Sequence, residues 1–180
     1  MKYALALVLF FVSACDPSIS CDCVVDGLCV IQDGFAISQE KLSWEIDKVN
    51  TTVNQFFPGL VLTDLIEQQS LELFFVPEER MSGLRGDYSA TGAETIRIRQ
   101  YNPAPGDEDI ACMEAYYVFG HELLHFIARH HLGVSEELNA AHNIPHLFLM
   151  VEKSGNIPTD DVEFIIYMDT KNYCGFHYRE

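Results

Sequence analysis

Between Tyr116 and Ile127 the chain reads Tyr-Tyr-Val-Phe-Gly-His-Glu-Leu-Leu-His-Phe-Ile, an apolar run that carries two imidazoles and one carboxylate, those of His121, Glu122 and His125. A run this apolar is buried, and a polar group buried without a partner costs roughly 1–3 kcal/mol. Whatever fold the chain adopts must therefore satisfy these three side chains. Two histidines four residues apart lie one above the other on the same face of a helix. Both can then reach a single metal ion, and a tetrahedral N-ligand ion such as zinc suits them. Glu122 sits one position on, turned by about 100° around the helix, near enough to touch water at the metal without ligating it.

The flanks extend the pattern. Val118 stands three positions ahead of His121, Leu123 and Leu124 are uncharged between the histidines, and Phe126 and Ile127 follow. In these ten residues the chain resembles the extended signature of the zincin metallopeptidases. The resemblance implies a zincin-like α+β fold around the motif, one zinc ion per chain and Glu122 as general base in peptide-bond hydrolysis. It also implies that the strand shortly before the metal helix is a sheet edge for an extended substrate.

A hydrolytic zinc site needs a third protein ligand and one open position, and the sequence holds several candidates. His131 has the spacing used by metzincins, but Ala128 stands where that family turns on a glycine. Glu136 and Glu137 have the residue type of a gluzincin ligand, very close to the helix end. The segment from Asn139 to Phe148 resembles that of SprT-like and related small bacterial zincins, in which a later histidine precedes a short stretch ending in an aromatic. Aligning Phe148 with that aromatic implies His142 as the third ligand, with His146 as the alternative. His130 and His131 read as solvated residues favourable to the helix dipole. His146, Tyr167, Tyr173 and His177 are unranked candidates for stabilising an oxyanion.

The first fourteen residues have one early base, Lys2, then an apolar stretch from Ala4 to Val12 and small residues at Ser13 and Ala14, the pattern of an export signal. It is shorter than the roughly twenty residues that span a bilayer. Val12-Ser13-Ala14-Cys15 resembles a bacterial lipobox, which implies cleavage before Cys15 and lipidation of that residue. The expected organisation is a signal over 1–14, a lipidated Cys15 and tether over 15–23, and one domain over 24–180. The protein is then exported and lipid-anchored, facing the periplasm or the cell exterior. Five cysteines remain, Cys21, Cys23, Cys29, Cys112 and Cys174, and export favours disulfides over a second metal clip, leaving an odd one.

The formal charge is −16 from 11 basic and 27 acidic residues, and removal of Lys2 with the signal takes it to −17. That sign disfavours phosphate binding, so nucleic acid is excluded as a partner, leaving a peptide or protein substrate, and membrane lipid through Cys15, for a monomer. The alternative function is a non-catalytic zinc-binding or structural surface lipoprotein.

Elsewhere, Asp26-Gly27 and Asp33-Gly34 predict hairpin turns between short strands. Leu42, Ile46, Val49, Val53 and Phe56 predict a helix from Ser38 or Gln39, closed by Pro58-Gly59. Strands are predicted at 71–76, 94–100 and 162–168, a glycine-rich loop at 81–92, the metal helix from about Ile110 to Leu132, a helix from Ser135 through His142, a further run to Val151 and a turn from Gly155 to Pro158. The predicted architecture is α+β, a small and mostly antiparallel sheet packed on the metal helix and a following helix.

Overall fold

The computed structural model describes residues 20–33, 37–101, 104–148 and 161–175. The export segment, Cys15, His177 and the features expected between 149 and 160 lie outside these residues, as does Gly34 of the second predicted turn. Strands β1 (Cys23–Val25) and β2 (Leu28–Ile31) form the first hairpin. Its turn is Asp26-Gly27, both in the left-handed region at φ 49° and 82°, as a two-residue turn between twisted strands requires. Helix α1 (Gln39–Phe56) starts where the Ser38 side chain accepts from the Lys41 N–H at 3.3 Å, and it buries Leu42, Ile46, Val49 and Val53. Helix α2 (Leu62–Gln69) has no counterpart among the predicted elements. With eight residues it is too short to carry a clear period, and Asn50 of α1 fixes its start by accepting from the Leu62 N–H at 3.0 Å.

The sheet is mixed, not mostly antiparallel. Strand β3 (Glu72–Val76) lies between β2 and β5 (Thr95–Arg99) and runs parallel to both, while β4 (Gly86–Ser89) closes the order β1-β2-β3-β5-β4 antiparallel to β5. The two helices between β2 and β3 supply the crossover that a parallel pair needs. Strand β5 buries Ile96 and Ile98 on one face, as its alternation requires. It is an interior strand, however. The edge is β4, inside the segment expected to be a loop; its four half-buried residues give no apolar alternation to read. Asp87 of β4 lies opposite Arg97 in the ladder and forms an ion pair with it, so it belongs to a strand and not to the predicted loop.

Helix α3 (Glu108–His130) is the spine. Twenty-three residues span about 35 Å, with Phe119, Leu123, Leu124, Phe126 and Ile127 fully buried, and it packs against β4, β5, α1, α4 and α5. Gly133, at φ 65°, ends the helical segment, and the Val134 N–H returns to the Ala128 carbonyl at 2.9 Å. Helix α4 (Glu136–Ala140) is capped by the Ser135 side chain, as expected, but stops before His142. Residues Val162–Tyr173 form helix α5 where a strand was predicted. A short apolar run does not distinguish the two; the buried set Val162, Ile166 and Thr170 repeats every four residues once the polar positions after Met168 are included.

Two covalent ties join these pieces, Cys21–Cys29 at the first hairpin and Cys112–Cys174 between the start of α3 and the end of α5; Cys23 is free and half-buried. The second closes 62 residues, and a loop of that length restricts the unfolded chain by about 4 kcal/mol. The variant Cys174→Ser should lose stability on that order in urea unfolding under oxidising conditions, and reduction of the variant, which then opens only the eight-residue Cys21–Cys29 loop among the described ties, should cost about 2–3 kcal/mol more.

Behind α3 lies a buried acid that forms no ion pair with a described residue. Glu45 of α1 is fully buried and accepts from the Thr170 hydroxyl at 3.0 and 3.3 Å. It fits because residue 120 is glycine, where any Cβ would collide with the Glu45 carboxyl. Burial pushes Glu45 from 4.5 up to about 8, with the Thr170 hydrogen bond pulling it back, Asp169 raising it and Lys48 lowering it. The unfolded chain therefore releases this proton near pH 4.5 and the folded chain only near pH 8, so the native state binds more protons in between. Relative to Glu45→Gln, the parent's stability should fall by a few kcal/mol (on the order of 1.4 per pH unit) as pH rises through that window and stay level above it, as read from denaturation curves across pH.

Candidate metal centre

His121, His125 and Arg129 occupy positions i, i+4 and i+8 of α3 and form one half-exposed stripe along a half of the helix whose intervening residues, 122–124 and 126–128, are buried. Each histidine has its Nδ1 fixed by another element. The ring of His121 meets Glu163 Oε1 of α5 at 2.7 Å, and Glu163 also accepts from the Tyr117 hydroxyl at 2.9 Å. The ring of His125 meets Asn139 Oδ1 of α4 at 2.9 Å, and the Asn139 amide donates back to the His125 carbonyl at 2.8 Å. With Nδ1 donating, each Nε2 keeps a lone pair aimed outward, the arrangement that orients metal-binding histidines.

His142 arrives from the loop after α4. Its backbone is left-handed, φ 53°, and its N–H donates to the Asn139 carbonyl at 3.0 Å. A conformation unusual for a residue with a Cβ turns the ring back onto the stripe, where its Nε2 lies 3.3 Å from that of His121. The side chain of Phe148, fully buried, packs against all three imidazoles with ring centroids 5.7, 4.7 and 4.8 Å from His121, His125 and His142.

These three histidines are close enough to hold a metal ion: each offers a nitrogen, and the three nitrogens lie within 4.8 Å of one another. The chemistry of the set fits zinc. Zn–N bonds of about 2.0–2.1 Å in a tetrahedron put ligand nitrogens about 3.3–3.4 Å apart, the separation seen between His121 and His142. Ligands must also be unprotonated. Burial pushes His125 down to about 4, against the Asn139 hydrogen bond, and burial lowers His142 too. Burial also disfavours charge on His121, but its hydrogen bond to Glu163 and the charges of Glu163 and Glu122 carry it above the ordinary range.

Glu122 is outside this set. It is buried at 6% exposure, yet its carboxyl borders the cleft beside the histidines. Burial raises it to about 7, with His121 pulling down and Asp87 and Glu163 pushing up. The cleft holds about 630 Å³ between the metal helix and β4. Gly86 makes this close approach possible, since a Cβ there would collide with Val118 and Glu122. Arg99 N–H donates to the Arg85 carbonyl at 2.8 Å, so by antiparallel alternation positions 85, 87 and 89 bond to β5. The N–H and C=O groups of Gly86 and Tyr88 then face the open edge.

The other candidates lie elsewhere. His146 is 63% exposed, 3.8 Å from Asp161 and stacked on Phe56, away from the cluster. His130 is not solvated: it sits 3.2 Å from Glu94 and 3.3 Å from the Tyr88 hydroxyl. Tyr167 packs edge-on against Tyr117, and Tyr173 stacks on Trp44. Glu136 and Glu137 are exposed, and Glu136 borders the cleft. The sequence reading missed Asn139 and the role of Glu163, because Glu163 was assigned to a strand; a helical period over 162–170 would have exposed it. Compared with protein-family models, curated proteins and solved structures, the chain matches none.

His142→Ala in the full chain should abolish zinc loading while His146→Ala keeps about one ion per chain, measured by mass spectrometry. Glu163→Gln and Asn139→Ala should each weaken zinc affinity by about 10–100-fold in competition with a chelating dye. Equal zinc affinity in all four variants would mean that the cluster is not a metal centre.

Proposed function

We propose that the chain is a zincin-like, zinc-dependent peptidase that works outside the cytoplasm, anchored as a monomer through lipids on Cys15. The observation that carries the reading is the place of Glu122: a carboxylate at the cleft beside three convergent imidazoles, with no part in holding them. A purely structural ion would leave no use for it. His121, His125 and His142 would hold the zinc, with Glu163 and Asn139 fixing two of the rings. Bound zinc would supply Lewis acidity, polarising a substrate carbonyl and acidifying water in the cleft.

The protein's own groups divide the remaining work. The open edge of β4 offers the backbone groups of Gly86 and Tyr88 to an extended peptide, which would pair as an added strand and run along the imidazole stripe. Glu122, lifted towards neutrality by its burial, takes the proton of the attacking water and delivers it to the leaving amine. Phe148, packed against all three imidazoles, keeps water from their inner side, which strengthens the electrostatic effects of these groups.

The variant Glu122→Gln, with zinc still bound at about one ion per chain, should lower kcat/KM for a cleaved peptide by roughly 10²–10⁴-fold. Undiminished hydrolysis by that variant would remove Glu122 from the mechanism and with it the proposal.

A further inference from the structure

We infer that Arg129 is an anion anchor in the cleft, so that the preferred peptide carries a carboxylate about two residues from the bond over the histidines. This rests on reading the cleft as a peptide site beside a metal. The chain carries 27 acids against 11 bases, and its described arginines are otherwise engaged. Arg80 pairs with Asp33, Arg85 with Glu114, Arg97 with Asp87, and Arg99 with both Glu78 and Glu114. Among the described residues Arg129 is the one arginine with no carboxylate within ion-pair distance, although it is half-buried and borders the cleft.

Its position gives the charge a use. Arg129 continues the stripe of His121 and His125 by one helical step of four residues, about 6 Å further along α3. An extended chain advances about 3.3 Å per residue, so two residues cover that step. Three acids line the cleft and none forms an ion pair with Arg129: Asp87 is bonded to Arg97, Glu122 is buried beside the histidines, and Glu136 is exposed. A guanidinium presents a planar fork that matches a carboxylate. That carboxylate can come from an internal Asp or Glu side chain or from a peptide's free C-terminus, and the two differ in what they ask of the substrate.

The test uses the full chain with Glu122→Gln, loaded with zinc so that peptides bind without turnover, and reads affinity by fluorescence anisotropy. One peptide series is amidated and carries a single Glu, scanned against Gln at each position. A second has neutral side chains and either a free or an amidated C-terminus. A Glu at one position, or the free terminus, should tighten binding by about tenfold or more, and the series that responds identifies the source of the carboxylate. Arg129→Gln should erase the preference, and Arg129→Glu should turn it towards a Lys peptide. If peptides bind but Glu and Gln, or acid and amide, do equally well, or if Arg129→Gln keeps the preference, the anchor is wrong while the peptide site stands. If no peptide binds the zinc-loaded protein, both fall.

Discussion

Two imidazoles on a buried helix oblige their neighbours to supply acceptors, and the positions of α4 and α5 answer that demand. The Nδ1 atoms of His121 and His125 point back into the protein, where water cannot replace a missing partner. Glu163 and Asn139 fill those places from two different elements. Without them the histidines would be free to turn, and the outward lone pairs would lose their common focus. The helices that complete the protein are thus positioned by the same hydrogen bonds that orient the site.

The disulfide between Cys112 and Cys174 bears on this arrangement at a distance. It joins the ends of α3 and α5 remote from the imidazoles, so it limits how the two helices slide without entering the site itself. Glu45 works on the same interface from behind, a mostly neutral carboxyl locked between Thr170 and the glycine that precedes His121. Polar groups set the spacing of helices whose apolar faces alone would permit several.

How much of this could be read from the residues depends on how far each signal extends. The period of α1 runs through about four turns and the apolar run of α3 through about three, and both helices lie where the sequence places them. His121, His125 and His142 converge, as the motif and the aligned aromatic suggest. The open edge is not legible in the sequence, because β4 has four half-buried residues and no alternation, while β5 shows a clean one and is interior. The first seven residues of helix α5 are nearly all apolar and read as a strand, which conceals the period that its polar half reveals. Glu163 was lost with it. Parallel pairing, too, leaves no mark in strands of four or five residues; it follows from the connections, and α2 in one of those was invisible.

Gly86 has a further consequence. Because it carries no side chain, β4 settles against α3 until its backbone meets Val118 and Glu122. The width of the cleft at that point is fixed by an atom that is not there. A chain laid along the edge of β4 would inherit that distance, so its depth relative to the Glu122 carboxyl is set by the backbone of the protein and not by the side chains it brings. Position 86 is, in effect, the depth stop of the groove.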